Sequence, residues 1–367
     1  MSEQATEKSF GTTAVHAAKH DEYSSMPIYM AATSQHFYTR GGNPSIDALE
    51  QGLADLEGGT YAVAAACGMA AITQTLLTLL ESGDRVLCHR SVYDWTDTFF
   101  REEAPRFGIT TAQVDLRDLT AVDKALQTPT KLVYFEPLSN PGLDLIDVPA
   151  VVELAHDAGA VVVVDNTFLT PYLFKPLRVG ADVVIHTATK YLSGHGDAMG
   201  GIAISNDQAL MDRIRRGRNI YGGVISPFNA FLIMRGIGSL HVRMPAHCAN
   251  ALQVAEFLHD HPQVADVRYP GLPDDHGHGV ATRLLQAGYG GMLGFQIAGD
   301  QERAEVFKKA LRLCKPWVSL GDIGSLVYVR WPEERKGIPP GFVRMSVGIE
   351  NCADIIADLE QALDALP

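Results

Sequence analysis

At 367 residues the chain is too long for one ordinary core and suits a large domain with a smaller one. A hydrophobic fraction of 46% with 20% charged residues is that of a globular protein, and a formal charge of -13 argues against nucleic acid or an anionic membrane as partner. No apolar run is long enough to span a bilayer and residues 1–8 lack a secretory pattern, so a cytoplasmic protein is expected.

In chain order, residues 1–46 read as an N-terminal arm. Their stretch from 9 to 46 is rich in Ser, Thr, Tyr, His and Pro with little periodicity, which suits extended chain laid over another surface and hence an oligomer. Residues 47–244 alternate helical periodicity with short aliphatic runs such as 85–88 and 131–135, the pattern of βα units and a mainly parallel sheet. The basic run Arg213 to Arg218 is expected to be a solvated helix end. Residues 245–367 carry a helical stretch at 249–259, strand-like runs at 264–269, 291–297 and 341–347, and helical patterns at 302–313 and 353–366. Together these form a smaller α+β domain. Five cysteines without CxxC spacing read as free thiols. His276-Gly277-His278 has a metal-like spacing but stands in a Gly/Pro/Asp-rich stretch without further ligands, so no metal is expected.

Two runs carry chemistry. Ala160 to Asp165 and Val183 to Lys190 each read as a strand buried on both faces, ending in polar groups where open α/β sheets place ligands. An aspartate at such a place is usually a cap and a lysine usually reaches solvent; the pair at this spacing is more specific. A buried carboxylate, Asp165, can hold the proton of a pyridine nitrogen, and a desolvated lysine, Lys190, can hold a coenzyme aldehyde covalently and then move protons. Thr187 and Thr189 can donate to a phosphate. The constellation reads as a site for pyridoxal 5'-phosphate.

Further segments make the chain similar to the Cys/Met metabolism enzymes that use this coenzyme. They are 38–44 (Tyr-Thr-Arg-Gly-Gly-Asn-Pro), 67–71 (Cys-Gly-Met-Ala-Ala), 136–141 (Glu-Pro-Leu-Ser-Asn-Pro), 165–167, 187–192, 319–322 (Ser-Leu-Gly-Asp) and 343–348 (Val-Arg-Met-Ser-Val-Gly). The likeness runs from about residue 36 to the C-terminus, and 190–197 and 247–251 most resemble the methionine γ-lyase branch. The resemblance implies a fold-type-I α/β enzyme of the aspartate-aminotransferase kind. It implies that Gly68 and Met69 give backbone NH groups to the phosphate, and that Tyr38 and Arg40 reach the phosphate of a neighbouring subunit in a homotetramer of dimers sharing active sites. Tyr93 is implied to stack on the coenzyme and act on the leaving group, for which a phenol of depressed pKa is suited. Arg344 is implied to hold the substrate α-carboxylate with help from Ser319 and Asn140.

The implied activity is a carbon–sulfur lyase acting on a sulfur amino acid by γ- or β-elimination, with thiol, ammonia and a 2-oxo acid as products. The alternative is γ-replacement, as in cystathionine γ-synthase or O-acylhomoserine sulfhydrylase; a non-catalytic homologue is a third reading, opposed by the complete site. The chain departs from the pattern at Trp95, where Gly or Cys is common. It departs also at Gly324, where a glutamate is frequent, and in 327–335, which replaces a His-Pro-Ala-Ser segment near the expected entrance.

Overall fold

The computed structural model describes residues 8–17 and 22–367, built on two sheets. Within the expected arm, α1 (Phe10–His16) is helical rather than extended, anchored by the Phe10 ring edge-on to Tyr172 at 5.2 Å. Residues 22–43 carry no regular element besides a bridge between Thr33 and Tyr38. Residues 1–7 and 18–21 of the expected arm lie outside the described residues. α2 (Pro44–Glu57) opens where Asn43 accepts the Ser45 NH and Pro44 takes the first helical position; it closes at Gly58 in the left-handed region.

The larger sheet has seven strands: β1 (Tyr61–Ala65), β2 (Arg85–His89), β3 (Thr110–Val114), β4 (Leu132–Phe135), β5 (Val161–Asp165), β6 (Val183–His186) and β7 (Gly201–Ser205). Their spatial order is β1-β7-β6-β5-β4-β2-β3. The strands from β3 across to β6 pair in parallel, and β7 runs antiparallel to both β6 and β1. Helices α3 (Gly68–Leu79), α4 (Asp94–Thr98), α5 (Leu119–Leu126), α6 (Val148–Asp157) and α7 (Thr170–Leu173) lie between these strands in sequence, and α8 (Gln208–Tyr221) follows β7. Alternation explains the unbroken aliphatic runs. Val162, Val164 and Val184 enter one apolar core while Val163, Val183 and Ile185 enter another, so both faces are covered.

α9 (Pro227–Ile237) and α10 (Leu240–His259) lead to the second sheet. α10 starts earlier than its periodicity suggests because Pro245, a helix breaker by composition, sits inside it. The divisions at 46/47 and 244/245 fall within α2 and α10. The second sheet is antiparallel, in the order β10-β11-β9-β8, from β8 (Val264–Arg268), β9 (Met292–Ile297), β10 (Leu326–Val329) and β11 (Phe342–Ser346). α11 (His278–Leu284), α12 (Gln301–Ala310) and α13 (Cys352–Asp364) accompany it, and Phe295, Phe307, Val343 and Leu359 form its core. β10 falls in the stretch whose charge draws attention in the sequence and hides its alternation.

The basic run behaves differently from expectation. Arg213 and Arg216 are exposed, but Arg218 is wholly buried at the end of α8. Its Nη1 donates to Glu50 Oε1 at 2.8 Å, and Arg215 Nη1 donates to Glu50 Oε2 at 2.9 Å. A carboxylate on α2, 168 residues earlier in the sequence, is what draws the arginine inward. All five cysteines are free. Among the described residues no helix is long and apolar enough to cross a membrane.

Candidate active site

Beyond the carboxyl ends of β4, β5 and β6 lies a cavity of about 420 Å³, closed on its other side by the second sheet. All the site residues expected from the sequence line it except Tyr38 and Arg40. Those two sit in a separate, open hollow beside Arg215 and Arg216, with the Arg40 guanidinium 5.3 Å from the centre of the exposed Tyr38 ring.

At one end the start of α3 faces the loop after β6. Cys67 caps the helix by accepting the Ala70 NH, and the NH groups of Gly68 and Met69 have no intrahelical acceptor. Gly68 has no alternative here: a Cβ would meet Thr187 Oγ1 at 2.0 Å. The close approach leaves the helix start, the Thr187 hydroxyl and Thr189 around one concave spot that suits a phosphate. Thr189 Oγ1 is already engaged with Gly200, accepting its NH at 3.1 Å and donating to its carbonyl at 3.3 Å.

Asp165 ends β5 and is 6% exposed. It accepts the Thr167 NH at 3.1 Å, the Thr167 hydroxyl, and the Tyr134 hydroxyl at 3.3 Å. Thr167 Oγ1 in turn accepts the Thr187 NH at 2.8 Å, which locks the ends of β5 and β6 together. Burial raises the Asp165 carboxyl, opposed by the hydrogen bonds from Thr167. Glu136, also buried, is pushed well above its ordinary value by burial and then by the Asp165 charge. It accepts the Tyr93 NH and the Asn140 NH, both at 2.7 Å, and so orients two residues of the pocket. The sequence offers Glu136 only as part of a segment; its burial between Tyr93 and Asn140 has no local signal.

Lys190 and Arg344 meet at Ser319. Lys190 Nζ donates to Ser319 Oγ at 2.8 Å, and Arg344 Nη2 donates to the Ser319 carbonyl at 2.9 Å. Ser319 adopts φ +99°, a costly backbone for a residue with a Cβ, and that turn presents both acceptors at once. Arg344 Nη1 donates to Asn140 Oδ1 at 2.9 Å, while its Nε is buried without a partner. Outward exposure, the ordinary reading of an arginine on a strand, does not apply: Arg344 is 6% exposed. Burial, then the nearby Arg344 charge, brings the Lys190 amine down to about 8. Burial brings Arg344 down to about 10.

Tyr93 precedes α4 and is partly exposed. The expected depressed phenol is not found: burial, followed by the Asp94 charge, raises it, and Arg344 opposes them. In this chain's own surroundings Tyr93 is a protonated group, an acid. Trp95 forms part of the cavity wall and is 64% exposed, as the departure in sequence suggests. From the 327–335 segment, Tyr328 and Arg330 reach the cavity, two residues apart along β10 and its exit, while Trp331 points to solvent.

The residues present fit pyridoxal 5'-phosphate. The glycine cradle at α3, the buried carboxyl of Asp165, the amine of Lys190 and the orphaned Nε of Arg344 are of the kinds that could partner, in turn, its phosphate, ring nitrogen and aldehyde and a substrate carboxylate.

The chain resembles known proteins over nearly its whole length. A family model described as "Cys/Met metabolism PLP-dependent enzyme" matches residues 9–364. L-methionine gamma-lyase of Pseudomonas putida is 45% identical over 342 residues, covering 90% of this chain and 85% of that protein. Cystathionine gamma-lyase of Dictyostelium discoideum is 37% identical over 378 residues, covering 96% and 97%. The crystal structure of cystathionine gamma synthase from Xanthomonas oryzae pv. oryzae superimposes with a TM-score of 0.94 at 35% identity, covering 98% of this chain and 99% of that one.

Proposed function

Because the chain belongs to the Cys/Met metabolism family of PLP-dependent enzymes, we propose that its pocket binds pyridoxal 5'-phosphate and breaks a carbon–sulfur bond of a sulfur amino acid by γ- or β-elimination. It is a carbon–sulfur lyase, in the company of relatives named methionine and cystathionine γ-lyase. The observation that carries the reading is the convergence of Lys190 and Arg344 on Ser319, which brings an amine and a carboxylate-binding guanidinium to one residue of the pocket.

Bound there, pyridoxal 5'-phosphate supplies an electron sink for charge developing at the substrate Cα. Gly68, Met69, Thr187 and Thr189 would hold the phosphate. Asp165 would hold the ring nitrogen, and a cation there would oppose the effect of burial on the carboxyl. Arg344, steadied by Asn140 and Ser319, takes the α-carboxylate through its Nε and remaining Nη hydrogens. Lys190 holds the cofactor between turnovers, then removes the Cα proton and, for a γ-leaving group, moves a proton at Cβ. Tyr93 donates a proton to the departing sulfur, a task suited to its raised pKa.

The γ-replacement reading remains as the alternative, favoured by the likeness to a cystathionine gamma synthase. Tyr38 and Arg40, outside their own pocket on an exposed hollow, serve the phosphate site of a neighbouring subunit in a homotetramer of dimers. Replacing Lys190 with Ala removes both the visible absorbance of bound cofactor and turnover. A Lys190→Ala protein that keeps both overturns the assignment.

A further inference from the structure

α4 begins one residue after Tyr93 and its first turn is acidic, with Asp94 and Asp97. Both are gripped by one short connection, the chain between β10 and β11. Asp94 Oδ2 accepts Arg330 Nη1 at 2.8 Å, and Oδ1 accepts Arg330 Nη2 at 3.0 Å and Lys336 Nζ at 2.6 Å. The first two make a bidentate pair, and the Lys336 side chain is 1% exposed. Asp97 accepts Arg335 Nη2 at 2.6 Å and Arg101 Nε at 2.9 Å. The tyrosine-bearing turn of the large sheet is thus tied by ion pairs to the second sheet. Arg330 also lies 5.4 Å from the centre of the Tyr328 ring, on which Arg344 rests at 5.7 Å, and it lines the cavity with Tyr93.

We propose that Asp94, Arg330 and Lys336 form a positioning clamp that fixes Tyr93 at the leaving-group end of the pocket and, through the balance of their charges, sets how tightly Tyr93 holds its proton. The inference rests on the role given to Tyr93 above. Burial alone would raise Asp94, but the hydrogen bonds from Arg330 and Lys336 outweigh it and hold the carboxyl at about 2, so its charge is present at every working pH. The other groups facing Tyr93 are Glu136 from the end of β4, whose carboxyl burial raises well above its ordinary value, Arg344 from β11 and Cys67 at the start of α3. Asp94 favours the protonated phenol; Arg330 and Lys336, paired with its carboxylate, offset that charge. Arg335 and Asp97, bound to each other, hold the rest of α4 in place.

The test is the pH profile of kcat/KM for the cofactor-loaded enzyme in four forms: wild type, Tyr93→Phe, Asp94→Asn and Arg330→Gln. Tyr93→Phe identifies the tyrosine limb as the one that disappears. Asp94→Asn, nearly isosteric, moves that limb to lower pH, and Arg330→Gln moves it to higher pH, each by about half a unit or more. Limbs unmoved in both variants, or moved in the same direction, overturn the clamp while leaving the lyase reading intact. A Tyr93→Phe enzyme with the full wild-type profile removes the role of Tyr93 itself, and the clamp with it. If Arg330→Gln does not fold, the Asp94→Asn shift alone decides by its presence and sign.

Discussion

At the scale of single residues, Lys190 shows how burial makes chemistry. Its amine is brought down to about 8 by desolvation, with Arg344 as the second cause, against an ordinary value of 10.5. Condensation with an aldehyde needs the neutral amine, so protein stripped of cofactor takes up pyridoxal phosphate faster as the pH rises through about 8, with a plateau above. Stopped-flow absorbance measures that rate; a midpoint near 10 or above contradicts the account. Asp165 and Lys190 are legible in the sequence because each follows an unbroken aliphatic run, and such a run is how a strand buried on both faces announces itself. The ionisation of Tyr93 is not legible. Its direction depends on Asp94, Glu136 and Arg344, and only folding brings the last two beside it. Ser319 is a similar case, since the motif marks it but nothing local reveals that a strained φ turns its hydroxyl and carbonyl to two different partners.

At the scale of elements, two contacts between distant parts of the chain decide what the secondary structure can do. Gly68 lets α3 approach the loop after β6, and Gly68→Ala forces the new Cβ against Thr187. The expected outcome is faster loss of cofactor on dialysis together with a stability loss of about 1–3 kcal/mol in urea unfolding; unchanged retention contradicts the cradle. Arg218 at the end of α8 answers Glu50 on α2, which also accepts the Ala64 NH of β1 at 2.9 Å. Arg218→Met leaves a buried carboxylate with less compensation and is expected to cost about 3–5 kcal/mol, read by the same method. A cost below about 1 kcal/mol restores the solvated-helix-end reading of that basic run. The run misleads because charge density along a sequence says nothing about which single member faces an opposite charge. β10 escapes detection for the converse reason: alternation over Leu326–Val329 is short and runs directly into the charged residues that grip α4.

At the scale of the whole molecule, the site draws on both sheets, and two of its expected members lie elsewhere. Tyr38 and Arg40 are placed on an exposed hollow of their own chain, and the proposed shared site assigns them to a neighbour's pocket. Arg40→Ala and Lys190→Ala proteins, each nearly inactive alone, are therefore expected to regain turnover when unfolded, mixed and refolded together, because mixed dimers contain one pocket with both residues intact. No recovery contradicts shared sites.

The central claim is elimination from a sulfur amino acid, and product analysis of the cofactor-loaded enzyme addresses it most directly. Supplied with methionine, homocysteine or cystathionine and no added nucleophile, the enzyme is predicted to release a thiol, ammonia and a 2-oxo acid in equal amounts, 2-oxobutyrate for γ-elimination and pyruvate for β-elimination. A new thioether or homocysteine, formed from an O-acylated homoserine only when a thiol or sulfide is present and without any 2-oxo acid, would contradict the lyase reading.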